Sequence, residues 1–282
     1  MAMNINTNVA SLTSQRFLGS TQQSLQTSME RLSSGLRVNS ARDDAAGLAI
    51  SDKMSSQIRG MTVAVRNAND GISMAQTAES AMGSITDTLQ RMRDLAVQSS
   101  NRAALSGEDA NKLQTEFKQL QDEISRIIKN TEFNGKKVLS GSMKSAVFQV
   151  GANTASDNQI KVAISNLASA AGLASALKAG TSIGSAAGAS GARKAMDAID
   201  AAIKKIDTFR STLGAVQNRF TTTIANLQSS IENQSAARAR IMDADFATET
   251  SNLSRAQILQ QAGTAMLAQA NQSTQNVLSL LR

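Results

Sequence analysis

Over residues 50–96 the apolar positions run Ile50, Met54, Ile58, Met61, Val65, Ala68, Ile72, Ala75, Ala78, Met82, Ile85, Leu89, Met92 and Ala96, every step three or four residues. An α-helix turns once per 3.6 residues, so such steps hold the apolar side chains on one stripe, whereas strand faces alternate at every second residue. The pattern predicts a rod rather than an ordinary globular helix. At about 1.5 Å per residue, a helix over 43–99 is about 85 Å long.

A rod with one apolar stripe needs partners of similar length. After a break at 101–107, Ser106 is placed to cap a second helix with Asp109 as its reciprocal partner, and Leu113, Phe117, Leu120, Ile124, Ile127 and Ile128 continue the period. A third run carries Ile199, Ile203, Ile206, Phe209, Leu213, Val216, Phe220, Ile224, Leu227 and Ile231. Between them Asn134 and Gly135 form a turn pair, and 148–150 and 160–164 alternate as short strands do. The reading is a mainly α chain: a long antiparallel, coiled-coil-like helical bundle with a small β-hairpin region. Residues 168–192 are Ala, Gly or Ser at twenty of 25 positions, which predicts a linker or tip rather than part of a core.

Composition removes whole classes of chemistry. With no Cys and no His, the chain has neither a disulfide framework nor the commonest metal ligand and general base. Asp243 and Asp245 are close in sequence but make a poor metal site without a third ligand, and no Gly-rich run ends in the Lys-Ser/Thr pair of a phosphate loop. No catalytic residue, metal or cofactor is expected. The formal charge of +7 raises nucleic-acid binding, but the cations are scattered and no recognition module is present. No window holds 18 consecutive apolar residues, so no membrane insertion is expected, and the N-terminus has no secretory signal pattern.

The two ends differ from the middle. Residues 1–40 carry only Arg16, Glu30, Arg31 and Arg37 as charges, and 246–282 only Glu249, Arg255 and Arg282. Both keep apolar spacing, with Leu12, Leu25, Leu32 and Leu36 at one end and Leu259, Leu267, Leu278 and Leu281 at the other. Segments with a face to bury and little to bury it against are expected to be loosely ordered alone and to gain structure by packing on copies of themselves. The expected organisation is therefore paired terminal helices (1–42 with 236–282), a bundle (43–165 with 190–235), and a tip at 166–189.

The start MNINTNV at 3–9, the segment LSSGLRVNSARDDAAGLAI at 32–50, the run QRMRDLAVQ at 90–98 and the ending LQQAGTAMLAQAN from 259 resemble bacterial flagellins. The resemblance covers about residues 1–165 and 190–282. It implies a structural subunit that assembles head-to-tail into an extracellular flagellar filament for swimming motility, is exported through the flagellum's own channel, and has no catalytic role. It further implies as partners other copies of the chain, a flagellar export chaperone, and the filament cap and hook-junction proteins. Arg42, Asp43 and Asp44 fall at the implied joint between inner and outer layers; from the residues alone they read as a helix start with first-turn acids. Arg91, Leu95 and Glu116 match a surface recognised by a host Toll-type receptor, against a plain solvated ion pair. Leu278, Leu280 and Leu281 match the terminal leucines detected by cytosolic sensors, against plain subunit packing. A hook–filament junction protein shares the terminal patterning, and a soluble coiled-coil adaptor would share the periodicity but not the nearly uncharged ends.

Overall fold

The computed structural model describes residues 7–141, 145–163, 166–167, 169–170, 173–178 and 181–279, with the backbone alone for 273–279. Helices α1 (Val9–Ser34), α2 (Ala45–Ser100), α3 (Gly107–Asn130), α4 (Leu173–Ala176), α5 (Gly188–Met242) and α6 (Phe246–Ser279) dominate it. Strands β1 (Glu132–Phe133), β2 (Lys136–Lys137), β3 (Ala146–Gln149) and β4 (Gln159–Val162) form two antiparallel two-stranded sheets, β1 with β2 and β3 with β4. The chain divides into two compact units, Met1–Gln57 with Glu232–Arg282, and Ile58–Ile231. Both divisions fall inside helices, within α2 and α5, rather than at the 42/43 and 235/236 boundaries read from sequence.

In the second unit α2 and α5 run antiparallel. Arg93 Nε donates to Asp200 Oδ1 at 2.7 Å, and fourteen residues back along α2, Gln217 Nε2 donates to Glu79 Oε2 at 2.9 Å, farther on in α5. Met74, Met82, Ile85, Leu89 and Met92 from α2 join Ile199, Ile206, Leu213 and Phe220 from α5 and Phe117, Ile124 and Ile128 from α3 in one core. The approach of α2 to α5 is close at Gly71, where a Cβ would lie 2.7 Å from the tip of the Phe220 ring. Phe148 of β3 meets that ring edge-on with centroids 5.6 Å apart, tying the β3–β4 sheet to the bundle.

Local signals set the ends of the elements. Ser106 caps α3, its Oγ accepting from Asp109 N at 3.2 Å and donating to Asp109 Oδ2 at 2.7 Å. At the β1–β2 turn Asn134 (φ 48°) and Gly135 (φ 73°) take the left-handed conformation that a two-residue hairpin requires. Helix α1 stops at Gly35 (φ 72°), whose N–H reaches Arg31 O.

The Ala/Gly/Ser-rich segment departs from expectation. Leu173, Ala176 and Ile183 are buried and belong to the core. Side chains of α3 hold its backbone: Gln121 Nε2 donates to Ala176 O at 2.6 Å, and Gln114 Oε1 accepts from Ile183 N at 2.5 Å and Gly184 N at 3.0 Å. Ser99 Oγ donates to Ile183 O, and Arg102 reaches Ile183 O and Gly184 O. A segment poor in bulky residues thus joins the core because its neighbours satisfy its polar backbone.

Candidate functional site

The terminal unit is built on α1 and α6, which run antiparallel. Asn8 Nδ2 donates to Ala270 O at 2.9 Å, Gln260 Nε2 to Gln22 Oε1 at 2.8 Å and Ser28 Oγ to Glu249 Oε1 at 2.5 Å. The side chains buried along the pair are small or polar: Ser11, Ser28, Ala256 and Glu249. A Cβ on Gly263 would lie 3.2 Å from Leu18 Cδ1, so the helices come close there. Among the described residues Glu249 is the only buried charged side chain; Ser28 and, at 3.7 Å, Arg31 compensate it. A carboxylate that would lose these partners on a slip of the pair fixes the register of α1 against α6.

Nine bulky apolar side chains of the same unit are exposed. Val9, Leu12, Phe17, Met29, Ile50, Phe246, Ile258, Leu259 and Met266 are exposed, against only Val63, Val97 and Val147 among the described residues of the other unit. Leu12 is 57% exposed and Leu259 51%, while Leu25, Leu32, Leu36 and Leu267 are half-buried. Leu278 lies in α6 where only backbone is described, and Leu281 and Leu280 lie outside the described residues. Phe17 and Ile258, exposed on the same pair, lie outside the apolar spacing read from the sequence. The adjacent pair Ile258-Leu259 was the available signal, since neighbours about 100° apart on a helix do not share one narrow stripe.

Between α1 and α2 the chain turns sharply and pairs with the link between α5 and α6. Arg37 N donates to Met242 O at 2.6 Å, Ala244 N to Gly35 O at 3.0 Å and Arg37 Nη2 to Ile241 O at 2.7 Å. Asp43 Oδ2 accepts from Asn39 N, Ser40 N and Ser40 Oγ, and Asp44 Oδ1 accepts from Gly47 N at 2.8 Å as the cap of α2. Asp245 does the same for α6, accepting from Ala247 N and from Thr248. Hydrogen bonds from Ser40 hold the Asp43 carboxyl below its ordinary range, and those from Thr248 do so for Asp245. Arg42 is exposed. The role of Arg37 was not read from sequence, because no local pattern links it to residues two hundred positions away.

On the bundle, Arg91 of α2 and Glu116 of α3 meet across the surface, with both Nε and Nη2 bonded to Oε1, Nη2 at 2.7 Å. Leu95 does not join them at the surface. It is 1% exposed, within the core, because α2 is covered by both α3 and α5 and its buried stripe is wide enough to take Met92, Leu95 and Ala96 together.

No helix among the described residues is long and apolar enough to cross a membrane, and no group of three or more candidate metal ligands occurs among them. Residues 5–144 match the model of the bacterial flagellin N-terminal helical region, and residues 196–281 that of the C-terminal helical region. The flagellin of Halalkalibacterium halodurans is 45% identical over 280 residues, spanning 99% of this chain and all of the relative. The flagellar filament 33 kDa core protein of Treponema phagedenis is 45% identical over 290 residues, with the same two coverages. In fold, the chain is similar to a putative flagellar hook-associated protein from Vibrio parahaemolyticus, at a TM-score of 0.58 and 14% identity, over 71% of this chain and all of that one. With family models matching both of its helical regions and relatives matched along their whole length, the chain belongs to the bacterial flagellin family, the non-enzymatic structural subunits that polymerise into the flagellar filament.

Proposed function

We propose that this subunit polymerises head-to-tail through the outward faces of α1 and α6, while the second unit serves as a preformed rigid body. The observation that carries this reading is that the fully buried side chains of the terminal pair are small or polar, while Leu12, Phe17, Ile258, Leu259 and Met266 are left exposed. Burying a leucine or phenylalanine from water is worth about 1.5–3 kcal/mol, so a few such side chains per subunit offset much of the cost of immobilising the helices. A heterologous contact that does not close on itself repeats into a filament instead of a ring. On this reading the product is extracellular, and the export chaperone, cap and hook-junction proteins are the other partners of the chain. Seeded elongation tests it: purified subunits added to short filaments should extend them under the electron microscope, and a chain lacking residues 246–282 should stay helical but not extend them. Closed rings, or normal growth of the truncated chain, would refute it.

A second reading concerns the bundle surface. The exposed Arg91–Glu116 pair presents a cation and a carboxylate side by side, as a host Toll-type receptor contact would need, with Leu95 supporting α2 from beneath. Detection of Leu278, Leu280 and Leu281 by cytosolic sensors is proposed on the sequence resemblance alone. Receptor binding measured for Arg91→Ala is the check: an anchor of that kind weakens binding by about 1 kcal/mol or more, and unchanged affinity rejects the site.

A further inference from the structure

The methionines among the described residues run from fully buried, through the half-buried Met54, Met196 and Met242, to exposed. Met74, Met82 and Met92 are buried in the bundle core, where a flexible, polarisable side chain fills irregular space. Among the described residues two methionines are exposed, Met29 on α1 (54%) and Met266 on α6 (62%), and both belong to the apolar set of the terminal pair. We propose that Met29 and Met266 are oxidation sites of the unassembled subunit, and that a peroxide-class oxidant converts them to sulfoxides that block addition to a filament. This rests on the reading that the outward face of α1 and α6 is the polymer contact.

The chemistry needs only accessible sulfur. A thioether lone pair attacks one oxygen of hydrogen peroxide, a sulfur–oxygen bond forms as the oxygen–oxygen bond breaks, and after proton transfer the remaining oxygen leaves as water. Sulfur is oxidised by two electrons and the peroxide is reduced by two. The product is a polar group with a strong hydrogen-bond acceptor in place of an apolar one. At an exposed position of the monomer that change is tolerated because water solvates it. In a contact between copies, the sulfoxide oxygen must be desolvated without a designed donor, which opposes burial. The core methionines are shielded by packing and react only when the bundle opens. The chain has no Cys, so no thiol competes for the oxidant.

The test treats the full-length wild-type subunit with dilute hydrogen peroxide, quenches it, maps sulfoxides by peptide mass spectrometry, and follows seeded elongation by light scattering. Sulfoxide should form at Met29 and Met266 well before Met74, Met82 and Met92, and elongation should slow by about tenfold or more with helicity unchanged. Methionine sulfoxide reductases of both stereospecificities should then restore elongation as the two sulfoxides disappear. Oxidation at both sites with normal elongation would overturn the proposal, as would elongation that stays lost after both are reduced, or core methionines reacting first. Untreated subunits that fail to extend seeds would instead refute the polymer contact itself, so the two failures are separable.

Discussion

At the scale of single residues, burial separates side chains that the sequence leaves looking alike. Leu95→Ala removes a fully packed leucine and should cost about 2–5 kcal/mol in chemical denaturation of the bundle. Arg91→Ala breaks an exposed pair and should cost no more than about 1 kcal/mol. Comparable losses for the two would contradict the placement of Leu95 in the core. Gly71→Ala directs a methyl group at the Phe220 ring, which is itself buried and backed by Phe148, and should destabilise by about 1–3 kcal/mol with no change in helix content. The cap at Ser106 was legible because its partner Asp109 lies three residues away. The burial of Leu95 was not, because the number of helices covering α2 is a property of the tertiary fold.

At the scale of elements, the paired links α1–α2 and α5–α6, both inside the first unit, and the terminal pair are the places where little holds much. Asp43 and Asp245 cap turns at either side of the link, and both carboxyls titrate below the ordinary aspartate value of 3.8. A depressed carboxylate contributes stability that is fully present above the unfolded value and lost as pH falls through the folded one. Amide exchange at 35–45 and 243–249 should therefore accelerate relative to the bundle only when pH drops below about 4, and Asp43→Asn should remove that dependence at the first segment. An unchanged exchange ratio across this range would rule out the caps as its source. Periodicity made α2, α3 and α5 readable, and Asn134-Gly135 made the hairpin readable. The core role of Leu173 and Ile183 was hidden, since it depends on the amides of Gln114 and Gln121 some sixty residues away.

At the scale of the whole molecule, the two units are stabilised on different principles. The second has a continuous apolar core. In the first, the buried apolar side chains among the described residues are Val38 and Ala256. The isolated subunit should accordingly show brief-protease cuts first near 35–45 and 240–250, leaving a helical fragment, and equal resistance of the terminal helices would argue against this difference. The nearly uncharged ends made the terminal pair stand out in the sequence, but which of its side chains stay exposed depends on the register set by Glu249. The central claim is that the exposed apolar face of α1 and α6 drives polymerisation. Its most direct test is seeded elongation of the full-length double variant Leu12→Asp, Leu259→Asp, followed by light scattering. Both side chains are more than half exposed, so the monomer should keep its circular dichroism, while a buried carboxylate at each repeat should reduce elongation by about a hundredfold or more. Elongation at the wild-type rate, with both substitutions present and the helices intact, would contradict the account.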